Sequence, residues 1–157
     1  MYNHAPADYV CPLCLLVQGI ENEHVLSRRS DVIYSDAYVT ALISSHQWPN
    51  NHGHAILIPN AHYENIYDLP ISLATRIHEL ARALAIAMKE AYRCEGVSTR
   101  QHNEPAGNQD VWHYHLHLFP RHTGDALYSS RSALMPVRGR AKYAARLRAR
   151  LGDWRPA

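Results

Sequence analysis

Three histidines at positions 113, 115 and 117 alternate with Tyr114, Leu116 and Leu118 in Trp-His-Tyr-His-Leu-His-Leu-Phe-Pro-Arg, residues 112–121. A neutral imidazole near pH 7 serves as a nucleophile, a general base or a metal ligand. Three rings in a row are poor core material, because each brings nitrogens that need partners. In a strand, side chains alternate faces. The spacing therefore predicts a strand over 113–119 with the histidines on one face, the apolar residues on the other, and Pro120 ending the run. On a straight strand, i and i+2 lie about 6.6 Å apart and i and i+4 about 13 Å, so the three rings must divide the labour rather than share one metal. A second constellation is Cys11-Pro-Leu-Cys14. It reads as a metal-ligand pair or a redox pair, and two histidines would complete a tetrahedral Cys₂His₂ site. No βαβ pattern surrounds it, as a thioredoxin-like redox site would require.

The elements that must position these residues are legible in outline. Val32–Tyr34 and Tyr38–Ile43 are β-rich with a turn at Ser35-Asp36, and Ala55–Ile58 is a short buried strand ended by Pro59. Residues 11–18 suit a short helix. Apolar residues recur at helical spacing over 70–93, with Pro70 in the first turn and Gly96 just past the end. Val97–His102 reads as a strand and 104–108 as a turn-rich loop. Strands, one long helix, then strands predict an α+β domain with an antiparallel sheet covered by the helix.

A chain of 157 residues suits one domain with a sizeable core. No run of 18 apolar residues occurs and the N-terminus lacks the parts of a signal peptide, so a cytoplasmic location is expected. The net charge of +2 conceals an asymmetry: residues 1–120 carry 7 Lys/Arg against 12 Asp/Glu, and residues 121–157 carry 9 against 2. Residues 123–157 are read as a basic, helical extension of the 1–122 domain. It either packs Leu147 and Leu151 on its own domain or a partner subunit, or meets an anionic partner. Without aromatic interleaving, nucleic acid is not the expected partner.

The triad run resembles the signature of the histidine triad (HIT) family. The lead-in Asn103-Glu-Pro-Ala-Gly-Asn-Gln109-Asp110-Val111 is similar to the family's Asn followed by Ala-Gly-Gln-(Ser/Thr)-Val. His52-Gly-His54-Ala-Ile-Leu-Ile-Pro59-Asn-Ala-His62 is similar to its Gly-His-x-Leu-x-Ile-Pro-x-x-His block. The resemblance covers roughly residues 9 to 122. It implies a homodimer that binds a nucleotide or nucleotide conjugate. It makes His115 a nucleophile on the α-phosphorus and His117 a phosphate-binding group. His54 would face the same phosphate from across the pocket, Gln109 would sit at the phosphate or leaving group, and Asn103 would line the pocket. It also implies a structural zinc on Cys11, Cys14, His62 and His113.

Two departures stand out. Asp110 occupies the family's Ser/Thr position, where a carboxylate repels phosphate unless it meets a cationic leaving group or turns away. The stretch 43–48 lacks the acid that typically binds ribose, while Trp48 either stacks on a base or packs in its loop. The expected activity is hydrolysis or transfer on a nucleoside phosphoramidate or related conjugate, through a covalent nucleotidyl-histidine. Dinucleoside polyphosphate hydrolysis, a nucleotide-binding regulator with vestigial turnover, and a metal-dependent hydrolase using His113 and His115 as ligands are the alternatives.

Overall fold

The computed structural model describes residues 2–156. Their elements run α1 (Pro12–Val17), β1 (Val32–Ser35), β2 (Val39–Ile43), β3 (His46–Gln47), β4 (Ala55–Pro59), α2 (Ile71–Tyr92), β5 (Gly96–Gln101), β6 (Leu116–Arg121), β7 (Ala133–Leu134) and α3 (Val137–Leu151). Five strands form one antiparallel sheet in the order β1-β2-β4-β6-β5, and β3 pairs with β7. The fold is the expected α+β arrangement. Among the described residues, no helix is long and apolar enough to cross a membrane.

Period-2 alternation gives the main sheet two different faces. Ala41, Ile43, Leu57, Leu116 and Leu118 bury themselves against Ile77, Leu80, Leu84 and Met88 of α2. On the opposite face Leu42, Ile56 and Ile58 pack with Leu13 and Leu16 of α1 and with Val25. Helix α3 joins the α2 side through the buried Ala144 and Leu147. The β1–β2 turn is set by Asp36, whose Oδ1 accepts from the backbone N–H of Tyr38 and Val39 at 2.7 and 2.8 Å. Gly53 holds a positive φ of 96°, and a Cβ there would stand 2.4 Å from the Tyr92 ring, so only glycine lets the loop before β4 close on the end of α2.

Two local expectations are corrected. The long helix ends on Arg93 in the left-handed region (φ 56°), and Gly96 opens β5 instead of capping the helix. The strand expected over 113–119 begins only at Leu116 and runs through Pro120 to Arg121. Its ladder with β5 ends at Gln101↔Leu116 and its ladder with β4 at Leu57↔Leu116. Ahead of that point the chain leaves the sheet, and Tyr114 N donates to Tyr63 O. Pro120 is tolerated because the β4 ladder stops at Leu118. The Pro120 carbonyl, which faces that vacated side, accepts from Asn51 Nδ2 at 2.8 Å, and the absent N–H faces the same way.

Candidate functional site

His117 lies on β6 with Ile56 directly opposite on β4 and Arg100 directly opposite on β5. Residues paired this way share a face, so the strands themselves bring His117, Phe119, Arg100 and the approach to β4 together. The His54 ring stacks on Phe119 with centroids 4.1 Å apart and 5° between planes. Its Nε2 stands 2.9 Å from His117 Nδ1. His115, just ahead of the strand, has its ring centroid 4.7 Å from that of His117. Despite the shortened strand, the rings of His54, His115 and His117 converge.

The hydrogen bonds assign the protons. A carbonyl only accepts, so His54 Nδ1, 3.2 Å from His46 O, carries its hydrogen, and Nε2 is a bare acceptor. His117 therefore donates through Nδ1 to His54 and keeps a lone pair on Nε2. His115 donates through Nδ1 to His113 O at 2.7 Å, which leaves its Nε2 with a lone pair as well. All three rings are held below the ordinary imidazole range. Burial dominates for each; it takes His54 to about 3, aided by the charges of Arg100 and His115. His117 is lowered well below 6.5 by burial and then by its histidine neighbours. His115 is lowered by burial, with the bond to His113 O and the Asp110 charge opposing. Near neutral pH the cluster is uncharged, and the Nε2 of His115 presents its lone pair without first losing a proton.

A cavity of about 310 Å³ adjoins the cluster, with His54, His115, His117 and Asp110 on its wall. Ser44 and Ser45 line it from the β2–β3 connection, Trp48 from just after β3, and Leu26 and Ser132 from two other loops. Trp48 lines the cavity and packs its ring edge-on against His54 and Phe119, at 5.3 and 5.2 Å. Asp110 projects into solvent with its side chain 85% exposed, and Oδ1 lies 3.9 Å from His115 Nε2.

Gln109 and Asn103 are not brought to the cavity. Gln109 is buried, donates from Nε2 to Glu64 O and Val111 O, and accepts on Oε1 from Glu104 N. Asn103 accepts from Ile66 N and exchanges hydrogen bonds with the Gln101 side chain. Both brace the loop that delivers the triad. The neighbour His102 comes nearer, its ring centroid 5.8 Å from that of His117 and its Nδ1 held 2.6 Å from Gly107 O. Sequence reading missed Arg100, His102 and the carbonyl of His46. Alternation on β5 puts Arg100 on the triad face once the register is known.

Cys11, Cys14, His62 and His113 offer four ligand atoms that all lie within 4.8 Å of one another. His113 Nδ1 stands 3.3 Å from Cys11 Sγ and 3.5 Å from Cys14 Sγ, and His62 Nδ1 stands 3.3 Å from Cys14 Sγ. These separations suit the edges of a tetrahedral Cys₂His₂ site. His113 Nε2 is 2.9 Å from Pro59 O, which fixes its proton there and turns the lone pair of Nδ1 to the thiols. Burial and the neighbouring Cys11 push the Cys14 thiol up to about 12, so its thiolate forms near neutral pH only with a cation beside it. The donor set fits a metal. His113 is engaged here while His115 turns to the cavity, so the two do not form the paired His-x-His ligands of the metal-hydrolase alternative.

The HIT domain family model matches residues 25–124. The chain is 31% identical over 112 residues to Protein hit of Bacillus subtilis, covering 71% of each. It is 30% identical over 108 residues to adenosine 5'-monophosphoramidase HNT1 of Saccharomyces cerevisiae, covering 69% of this chain and 62% of that one. A crystal structure of a zinc-bound histidine triad family protein from Mycobacterium smegmatis aligns with TM-score 0.73 and 27% identity, over 90% of this chain and 92% of that one. By the family-model match over residues 25–124 and the 31% identity to the Bacillus subtilis relative, the chain belongs to the HIT domain family.

Proposed function

We propose that the protein hydrolyses nucleotide conjugates at the α-phosphorus through a covalent intermediate on His115, with a nucleoside phosphoramidate as the preferred class. The observation that carries this reading is the lone pair on His115 Nε2, fixed by the bond from Nδ1 to His113 O, in a buried and neutral ring on the cavity wall. The similarity to a yeast adenosine 5'-monophosphoramidase supports the substrate class.

In the first half, His115 Nε2 forms a bond to phosphorus and the bond to the leaving group breaks. The leaving group departs with the electron pair and takes up a proton. In the second half, a water oxygen displaces the imidazole from phosphorus and gives its proton to His117 Nε2, which releases it to solvent. The proton consumed first is thus returned, and the sum is conjugate plus water giving nucleotide plus free leaving group. His54 holds His117 in the tautomer that leaves Nε2 open. Asp110, 3.9 Å from His115 Nε2, is placed to attract an amine departing as a cation.

Zinc, held by Cys11, Cys14, His62 and His113, would supply no reactive group but a cross-link from α1 to the segment ahead of β6. That cross-link steadies His113, whose carbonyl orients His115. Pairing of two copies belongs to this reading on the strength of the family resemblance, and a cytoplasmic location on that of the N-terminal sequence.

The test is mass spectrometry of rapidly quenched mixtures with adenosine phosphoramidate. A nucleotidyl adduct on the peptide containing His115 is expected. Hydrolysis without an adduct there, or no reaction with any conjugate in a panel, overturns the reading.

A further inference from the structure

Arg100 is the outstanding unpaired group near the triad. Its Nε and Nη2 are buried and have no hydrogen-bond partner among the described residues. No carboxylate among the described residues lies within ion-pair distance of it. Its guanidinium is sheathed by aromatic rings, 4.5 Å from the centroid of Phe119, 5.2 Å from Tyr128 and 5.6 Å from Trp48.

The nearby Arg121 shows what a structural arginine looks like in the same surroundings. It also stacks on Tyr128, at 5.0 Å, but its fork closes on Asp125 at 2.6 and 2.9 Å. Asp125 is then committed further, to Asn51 Nδ2 and the N–H of His122, and has nothing left for Arg100. Withdrawing guanidinium nitrogens from water without a partner is costly. Cation–π contacts return only part of that. A buried unsatisfied donor in a folded protein calls for a partner that arrives with function, and a planar fork suits a phosphate or carboxylate.

The position says which part of a substrate that partner belongs to. Arg100 stands directly opposite His117 on β5, the edge strand. The cavity opens on the other side of His117, against β4 and the β2–β3 connection. With a nucleoside in the cavity and the nucleophile ahead of β6, the side left for the departing group is that of β5.

We propose that Arg100 is a specificity residue that binds an anionic oxygen carried by the leaving group. The protein then selects conjugates whose amine or alcohol portion bears a carboxylate or phosphate. This rests on the nucleotidyl-histidine reading above and narrows it: Asp110 meets the atom bonded to phosphorus, and Arg100 meets an anion further along the same group.

The test uses the full-length protein and matched adenosine phosphoramidates. One pair has a leaving amine bearing a carboxylate or its carboxamide, and a second pair bears a phosphate monoester or its alcohol. The readout is the ratio of kcat/KM within each pair, so a general loss of activity in a variant cancels. A charge-assisted bond predicts a ratio of about 10- to 100-fold in favour of the anion. Arg100→Gln should bring it to near 1, and Arg100→Lys should restore part of it. The pair with the larger ratio identifies carboxylate or phosphate as the anion. Hydrolysis with a ratio near 1 in the wild type, or one unchanged in Arg100→Gln, overturns the role of Arg100 and leaves the nucleotidyl-histidine reading standing. No hydrolysis of any member overturns both.

Discussion

His54 Nε2 stands 2.9 Å from His117 Nδ1, and the proton between them belongs to His117 because His54 spends its own on the His46 carbonyl. A second proton has no place between these two nitrogens. Adding one to His54 would put two donors face to face beside the Arg100 charge, which already lowers both rings.

Stability should therefore depend on acidity through His54. Its folded pKa is about 3, and burial is the main cause. Above about 6.5, the ordinary imidazole value, folded and unfolded states are both neutral and nothing is lost. As pH falls from there toward the folded value, the unfolded state gains a proton that the folded state refuses. Stability is then lost at up to about 1.4 kcal/mol per pH unit. Urea midpoints measured between pH 7 and pH 5 should fall, and His54→Gln should show a shallower slope. Parallel slopes for the two proteins would contradict the assignment of a buried neutral ring.

His115→Ala should lower turnover of an adenosine phosphoramidate by about a thousandfold or more, since no other nucleophile replaces the lost bond to phosphorus. The fold should persist, because His115 donates only to the carbonyl of His113. Circular dichroism and nucleotide affinity close to wild type would accompany the loss. Turnover within a few-fold of wild type would remove His115 from the reaction.

The sheet, the long helix and the set of triad histidines were legible from periodicity and spacing, because alternation and helical repeat report which side of an element is wet. The start of β6 was not. Alternation continues through His113 and Tyr114, but a strand exists only where neighbours pair with it, and both ladders end at Leu116. Pro120 was misread for the same reason, since its neighbour strand stops before reaching it. Gln109 and Asn103 have the composition of ligand-binding residues, and only the folded loop shows Gln109 turned onto the carbonyls of Glu64 and Val111, and Asn103 onto Ile66 N and the Gln101 side chain. The partnership of Asp31 and Arg140 joins positions 109 residues apart, beyond the reach of any local pattern.

Metal removal should loosen the segment that carries His113. Elemental analysis of protein purified without chelator is expected to give about one zinc per chain, as one Cys₂His₂ site requires. Chelation, or Cys14→Ser, should lower the melting temperature by about 6–12 °C if roughly 3 kcal/mol is lost at 2–4 °C per kcal/mol for a chain of this size. A metal-free preparation with the same melting temperature as the metal-loaded one would exclude a structural zinc.

Asp110→Ser should shift the choice of leaving group. The carboxylate stands 3.9 Å from His115 Nε2 and 85% of its side chain is exposed, so its field is screened by water. A change of only a few-fold is expected: phosphoramidates lose and dinucleoside polyphosphates gain. Equal changes in kcat/KM for both classes would mean that Asp110 does not read the leaving group.

The buried ion pair of Arg140 and Asp31 should couple stability to the cavity wall. Arg140 Nε lies 3.0 Å from Asp31 Oδ2, and both residues are almost wholly buried. The same guanidinium donates to Leu26 O at 2.8 Å and to Met135 O at 2.6 Å, while Met135 N donates to Ser45 O. One side chain thus ties α3 to Asp31, Leu26 and Met135; Leu26 lines the cavity itself, and Met135 holds Ser45, which lines it too. Removing one partner of a buried pair leaves an uncompensated charge, at a cost of about 3–5 kcal/mol. Arg140→Met should therefore lower the melting temperature by about 10 °C and raise KM more than it lowers kcat, because the wall moves while His115 keeps its bond to His113 O. Asp31 Oδ1 has no partner even in the intact pair, so the pair is imperfectly solvated by the protein. The double variant Asp31→Leu/Arg140→Met should accordingly recover much of the lost stability, but not the KM, since the bonds to Leu26 and Met135 stay broken. Recovery of both together would show that Arg140 acts on the cavity only through overall stability.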